Sequence, residues 1–166
     1  MASHTTTSII DKEFELLKYI RENRLNKDIM NYLDKTHDEI QLRGICNPRG
    51  PYKKSLIHFA AMGDCTALLQ NLLYIGALVD DLDHNKRTPL SWAAEYGSLG
   101  ATRILLKNGA KVNSLDDIYC SPLTWLINAG SPQYKDLEAT RSYLKENGAT
   151  TKGAKRAWIL NKLRLL

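Results

Sequence analysis

The 166-residue chain predicts an all-α fold, a solenoid of stacked helix–turn–helix units with protruding loop tips and a concave binding face. Three observations predict it. Phe59, Trp92 and Trp125 stand at equal intervals, and the glycines Gly76 and Gly109 keep the same spacing. Paired leucines precede each of those glycines, Leu72 with Leu73 and Leu105 with Leu106. A fixed period of this length marks copies of one supersecondary unit that cannot bury its apolar face alone, so each copy is stabilised by its neighbours.

Residues 1–11 read as an N-terminal extension and 12–35 as a degenerate first copy that caps the stack. Leu17 and Ile20 fall on one helix, Asn23 at the turn, and Leu25, Ile29, Tyr32 and Leu33 on the next, with Tyr19 near the aromatic position. Its charges (Lys18, Arg21, Glu22, Lys27, Asp28) suit the solvated face a terminal repeat needs. Residues 36–54, with Asn47-Pro48-Arg49-Gly50-Pro51, read as a long irregular loop.

The three fuller copies span about 55–81, 82–114 and 115–150. The middle one is spelled Thr88-Pro89-Leu90-Ser91-Trp92-Ala93-Ala94, then Gly97, Ile104-Leu105-Leu106 and Gly109-Ala110. Thr88 caps a helix and Pro89 fits the first helical position, where no N–H is needed. Ala93 and Ala94 allow close helix contact, Gly97 suits a left-handed turn, and Gly109 ends the return helix. The earlier copy begins Ser55-Leu56-Ile57-His58-Phe59-Ala60-Ala61. Its Gly63 comes one position early, which predicts a shorter first helix and a longer second one. The later copy begins Ser121-Pro122-Leu123-Thr124-Trp125 and closes at Gly148-Ala149, later than the period requires, which implies an insertion around Pro132, over 131–136.

These spellings resemble the ankyrin repeat, whose signature is threonine-proline-leucine-histidine-x-alanine on a period of about 33 residues. The resemblance implies a noncatalytic module that binds another protein, as adaptor or inhibitor, through inner helices and loop tips. By that resemblance the recognition positions are Tyr52 and Lys54; Met62; His84, Asn85 and Arg87; Glu95 and Tyr96; Asp117, Ile118 and Cys120; and Asn128 with Ala129. Two departures from the family pattern matter. Lys53, Lys86 and Tyr119 stand where the tip turn usually has glycine, which puts the usual tip geometry in doubt. The histidine that braces the turn is present as His58, while Ser91 and Thr124 replace it later.

The aromatic ladder of Tyr19, Phe59, Trp92 and Trp125 has two open readings: it fills the seam between copies, or it lines a pocket for an apolar small molecule. The tail 151–166 also has two. Its five basic residues come with no acid, and Trp158, Ile159, Leu160 and Leu163 lie among them. It either caps the last copy or reaches an acidic partner, nucleic acid or anionic lipid. Nucleic acid is disfavoured as a main partner because residues 1–150 are balanced in charge and the net +5 sits in the tail. A membrane is disfavoured except through the tail, since no apolar run is long enough to span one.

Three cysteines, Cys46, Cys65 and Cys120, without paired spacing suit free thiols in a reducing compartment, so an intracellular, cytoplasmic or nuclear setting is expected. No nucleophile–base pair, phosphate-cradling glycine loop or metal-spaced histidine cluster occurs, so neither catalytic nor metal residues nor a cofactor are expected. Asp80, Asp81 and Asp83, and later Asp116 and Asp117, read as turn-forming residues.

Overall fold

The computed structural model describes residues 51–129 and 136–151. Tyr19, the capping copy, Cys46, the irregular loop up to residue 50, most of the insertion and the tail from residue 152 lie outside them. Among the described residues the regular elements are six α-helices and one 3-10 turn, Pro51–Lys53. The helices are α1 (Leu56–Met62), α2 (Thr66–Tyr74), α3 (Pro89–Glu95), α4 (Leu99–Lys107), α5 (Pro122–Asn128) and α6 (Leu137–Glu146). The all-α solenoid is thus observed.

Local chemistry sets the helix starts. The Thr88 hydroxyl accepts the Ser91 N–H at 3.2 Å, and the Ser121 hydroxyl accepts the Thr124 N–H at 3.3 Å. Pro89 and Pro122 each occupy the first turn, where a missing donor costs nothing. Ser55 is capped in reverse, its own N–H donating to His58 Nδ1 at 3.2 Å.

Packing then arranges two layers. The short helices α1, α3 and α5 pack side by side as an inner row, and α2, α4 and α6 form an outer row. Between them lie Ile57, Leu72, Leu90, Leu105, Leu123, Leu126 and Leu144, all buried. Leu105 and Leu144 are fully enclosed, which makes the apolar contact between copies the main stabilising term.

The predicted change of helix length in the copy at 55–81 is corrected. Helices α1 and α3 have 7 residues each, and α2 and α4 have 9. Gly63 is ordinary right-handed backbone at φ −81°, and Asp64 takes the left-handed turn at φ 55°, in register with Gly97 at φ 62°. A short polar side chain tolerates that region better than most. Asp64 also uses it, since its carboxylate accepts the Ala101 N–H of the next copy at 2.6 Å.

The left-handed residue is kept in all three tips, although in the first Tyr52 is left-handed too, at φ 59°. Lys53, Lys86 and Tyr119 sit at φ 55°, 59° and 62°, so non-glycine residues adopt the left-handed conformation in all three tips. Adjacent tips are also joined through the backbone, His84 N–H donating to Tyr52 O at 2.8 Å and Asp117 N–H to Asn85 O at 3.1 Å.

Candidate interaction face

The two described copies that contain a tryptophan each carry an aspartate at the same place before it, and the tip folds around that carboxylate. Asp83 Oδ1 accepts the N–H groups of Asn85 and Arg87, at 2.8 and 2.9 Å. Asp116 Oδ1 accepts those of Ile118 and Cys120, at 3.1 and 2.8 Å. The second oxygen of each takes an indole: Trp92 Nε1 donates to Asp83 Oδ2 at 2.9 Å and Trp125 Nε1 to Asp116 Oδ2 at 2.6 Å. One carboxylate therefore shapes the tip and orients the ring below it. Sequence reading assigned these aspartates only to turns; the constant spacing to the tryptophan was the signal available for the second role.

Cations interleave with the rings. The Lys54 ammonium lies 3.9 Å from the centre of the Trp92 ring and 5.9 Å from that of Phe59. The Arg87 guanidinium carbon lies 3.6 Å from the Trp92 centre and 3.8 Å from the Trp125 centre, so it is held between the two indoles. Lys54 also nears Phe59 of the preceding copy and Arg87 nears Trp125 of the following one, so the two cations approach Trp92 from its two sides. Arg87 is anchored further by Glu95 Oε2, with longer contacts to the Ser91 hydroxyl and carbonyl at 3.4 Å. Each cation–aromatic contact contributes about 0.5–2 kcal/mol, more as water is excluded.

Several of the recognition positions lie inside the stack. Lys54 and Arg87 are 6% and 4% exposed. They are buried because planar guanidinium and ammonium groups pair with the faces of the rings that the stack brings over them. Met62 is also buried, packed into the core where α1 meets its neighbours, and its carbonyl accepts the Ser98 hydroxyl at 3.0 Å. Glu95 is only partly exposed and is committed to Arg87. The ladder itself is neither a plain apolar seam nor an open slot. Phe59 is buried, Trp92 and Trp125 are half-buried, and Trp92 is covered on both faces by the chain's own cations.

The other recognition positions remain on the surface. Tyr52, His84, Asn85, Asp117, Ile118 and Asn128 are exposed, with Tyr96, Cys120 and Ala129 half-buried. Tyr52 and Ile118 are large apolar side chains at 70% and 58% exposure. Tyr96 leans on Trp92, ring centres 6.2 Å apart and tilted by 45°.

His58 is the brace. Its Nε2 faces two carbonyl oxygens of the next tip, Asp81 O at 3.1 Å and Arg87 O at 3.2 Å, so Nε2 carries the proton while Nδ1 accepts from Ser55. Burial holds its pKa below the ordinary 6.5, against the opposing pull of Asp81, so the ring is neutral. The Ser55 hydroxyl donates to Asp81 Oδ2, tying the same helix start to the same tip. Burial also pushes the Cys65 thiol up to about 12 and, with Asp116 nearby, raises that of Cys120. Neither thiol has the lowered pKa of a reactive cysteine.

Among the described residues no helix is long and apolar enough to cross a membrane. No curated protein sequence matches the chain. A family model described as ankyrin repeats, in three copies, matches residues 13–116, and α5 with α6 continues the same two-layer stack beyond that stretch. With the period, helix pairs and braced tips all agreeing, the chain belongs to the ankyrin-repeat family.

Proposed function

We propose that this protein is a noncatalytic adaptor or inhibitor that binds one partner protein along its tips and the adjoining inner helices. Ankyrin repeats are generally protein–protein interaction modules. The observation that carries the reading is the ridge made by the tips. Tyr52, His84, Asn85, Asp117 and Ile118 are all exposed along backbone segments hydrogen-bonded from one copy to the next. A rigid base under exposed tyrosine and isoleucine suits a partner surface, since holding side chains in place beforehand lowers the ordering cost of association.

Cations early on the ridge (Lys53, Lys86) and Asp117 at its far end give a bound segment an electrostatic direction. The alternative of a small-molecule pocket in the ladder loses support, because Lys54 and Arg87 already occupy the faces of Trp92.

The test is a tagged pull-down from native extract with mass spectrometry, comparing wild type with Asn85→Arg/Ile118→Asp. Both positions are exposed and stand outside the Lys54–Trp92–Arg87–Trp125 stack, so folding should be retained. A protein captured by wild type and lost by the variant supports the reading. Equal capture by both folded proteins removes the ridge as the binding surface.

A further inference from the structure

Among the described residues, the cation–aromatic ladder has two cations at Trp92 and one at Trp125. Lys54 and Arg87 stand one repeat period apart, and the next position of that register is Cys120. Trp92 has the cation of the preceding copy on one face and that of its own copy on the other. Trp125 has Arg87 from the preceding copy, but its own copy offers a half-buried thiol where a cation would stand. Among the described residues Arg87 is the one cation over Trp125, and that ring remains half exposed.

The filled positions define what fits the unfilled one. An ammonium lies on Trp92 and a guanidinium lies between Trp92 and Trp125, each beside an indole whose N–H is bound to a carboxylate. At Trp125 the carboxylate is Asp116, with exposed Asp117 next to it, so a positive group is favoured electrostatically as well as by the ring.

The path of the chain indicates a source. Thr150 donates its N–H to Asn113 Oδ1 at 2.8 Å, and its carbonyl accepts the hydroxyl of Ser121, the neighbour of Cys120, at 3.2 Å. From there the sequence continues through Lys152, Lys155, Arg156, Lys162 and Arg164 with no acid up to residue 166. Each added residue extends the reach by up to about 3.5 Å. A segment tethered this close acts at an effective concentration of order mM, which favours it over a separate molecule of equal chemistry.

We propose that the outer face of Trp125 is a docking site for a cationic side chain, and that residues 152–166 of the same chain supply it in place of the cation missing at position 120. The last copy is then closed by the same chemistry as the others, with the cation arriving from beyond Thr151 instead of from its own tip. The inference concerns the end of the stack and stands independently of the partner reading.

The test compares three ¹⁵N-labelled proteins: the full chain, a chain ending at Thr151, and a full-length variant carrying Lys152→Gln, Lys155→Gln, Arg156→Gln, Lys162→Gln and Arg164→Gln. The indole N–H resonances of Trp92 and Trp125, assigned with single Trp→Phe variants, are the readout. The expected result is a displaced Trp125 resonance in both altered proteins, with that of Trp92 unmoved and the full-chain spectrum unchanged on dilution. An unmoved Trp125 resonance overturns the proposal. Displacement by truncation but not by the glutamines overturns the cationic occupant, and dilution dependence overturns the intramolecular one in favour of a second copy. Should the shortened chain lose the dispersed Trp92 signal of a folded stack, the glutamine variant decides alone.

Discussion

The copies at 55–81 and 82–114 share helix lengths and a core, yet the polar groups that hold their neighbours differ in part. In both, a cation reaches an indole of the following copy, Lys54 at Trp92 and Arg87 at Trp125. The first adds His58, which reaches the carbonyl oxygens of Asp81 and Arg87, and Ser55, which binds Asp81. In the second, Ser91 stands where the histidine was and makes only a long contact to Arg87. There the link to the next copy is Arg87 itself, fixed by Glu95 and enclosed by Trp92 and Trp125. The difference teaches that the stack specifies a distance to be bridged and leaves the chemistry of the bridge open. A neutral imidazole saturating carbonyls and a guanidinium between two indoles both serve.

On this view the most damaging change is at the second bridge. Arg87→Ala removes two cation–aromatic contacts and leaves Glu95 without its ion-pair partner, so a loss of about 3 kcal/mol is expected by urea denaturation. A loss under about 1 kcal/mol would mean the indoles stack as well without it. His58→Ala should cost about 2 kcal/mol, because two carbonyls and the Ser55 N–H lose their partner at a buried site. Glu95→Gln keeps the shape and a hydrogen bond while removing the charge. With Glu95 26% exposed, water screens the pair, and about 1 kcal/mol is expected.

The two bridges should also differ in pH response. Because the folded pKa of His58 lies below 6.5, the unfolded chain binds more protons between the two values. Its contribution is therefore complete above about pH 6.5 and falls as the pH drops toward the folded value. Urea midpoints of wild type and His58→Gln between pH 8 and pH 5 should converge on acidification. A constant gap would show that the ring is not neutral in the fold. Arg87→Ala should show no such convergence, since arginine keeps its charge throughout this range.

The smallest expected effect is a gain. Lys86→Gly relieves a left-handed φ of 59° but frees the unfolded chain, so a net stabilisation of about 0.5 kcal/mol is expected in thermal or urea unfolding. The same gain is expected at Tyr119, whereas the first tip differs, with Tyr52 left-handed beside Lys53. A loss at Lys86 would mean that its side chain contributes more than the strain it brings.

Much of the fold was legible because it depends on local rules. The hydroxyl before each proline, and Gly109 and Gly148 at φ 86° and 84°, each reflect a single turn of chain, and the repeat period is the recurrence of those local patterns. The Gly63 expectation failed where local reading was too literal: a glycine near a turn was taken for the turn residue, while Asp64 held that place and gained a bond to Ala101. The ladder was legible as a row of rings but not as a row of rings and cations. Lys54 and Arg87 looked like surface residues because their charges are costly to bury alone.

Taken by itself, the sequence determined the repeating unit, the helix starts and the line of aromatic positions, all local patterns or their recurrence along the chain. Only the tertiary structure decided which polar groups lie inside. The ring that covers Lys54 belongs to the following copy, as does the second ring on Arg87, so each contact spans more than a full repeat of chain and no local pattern announces it. Stacking brings these groups together, and excluding water from the space between them turns two costly charges into part of the support for the exposed tips.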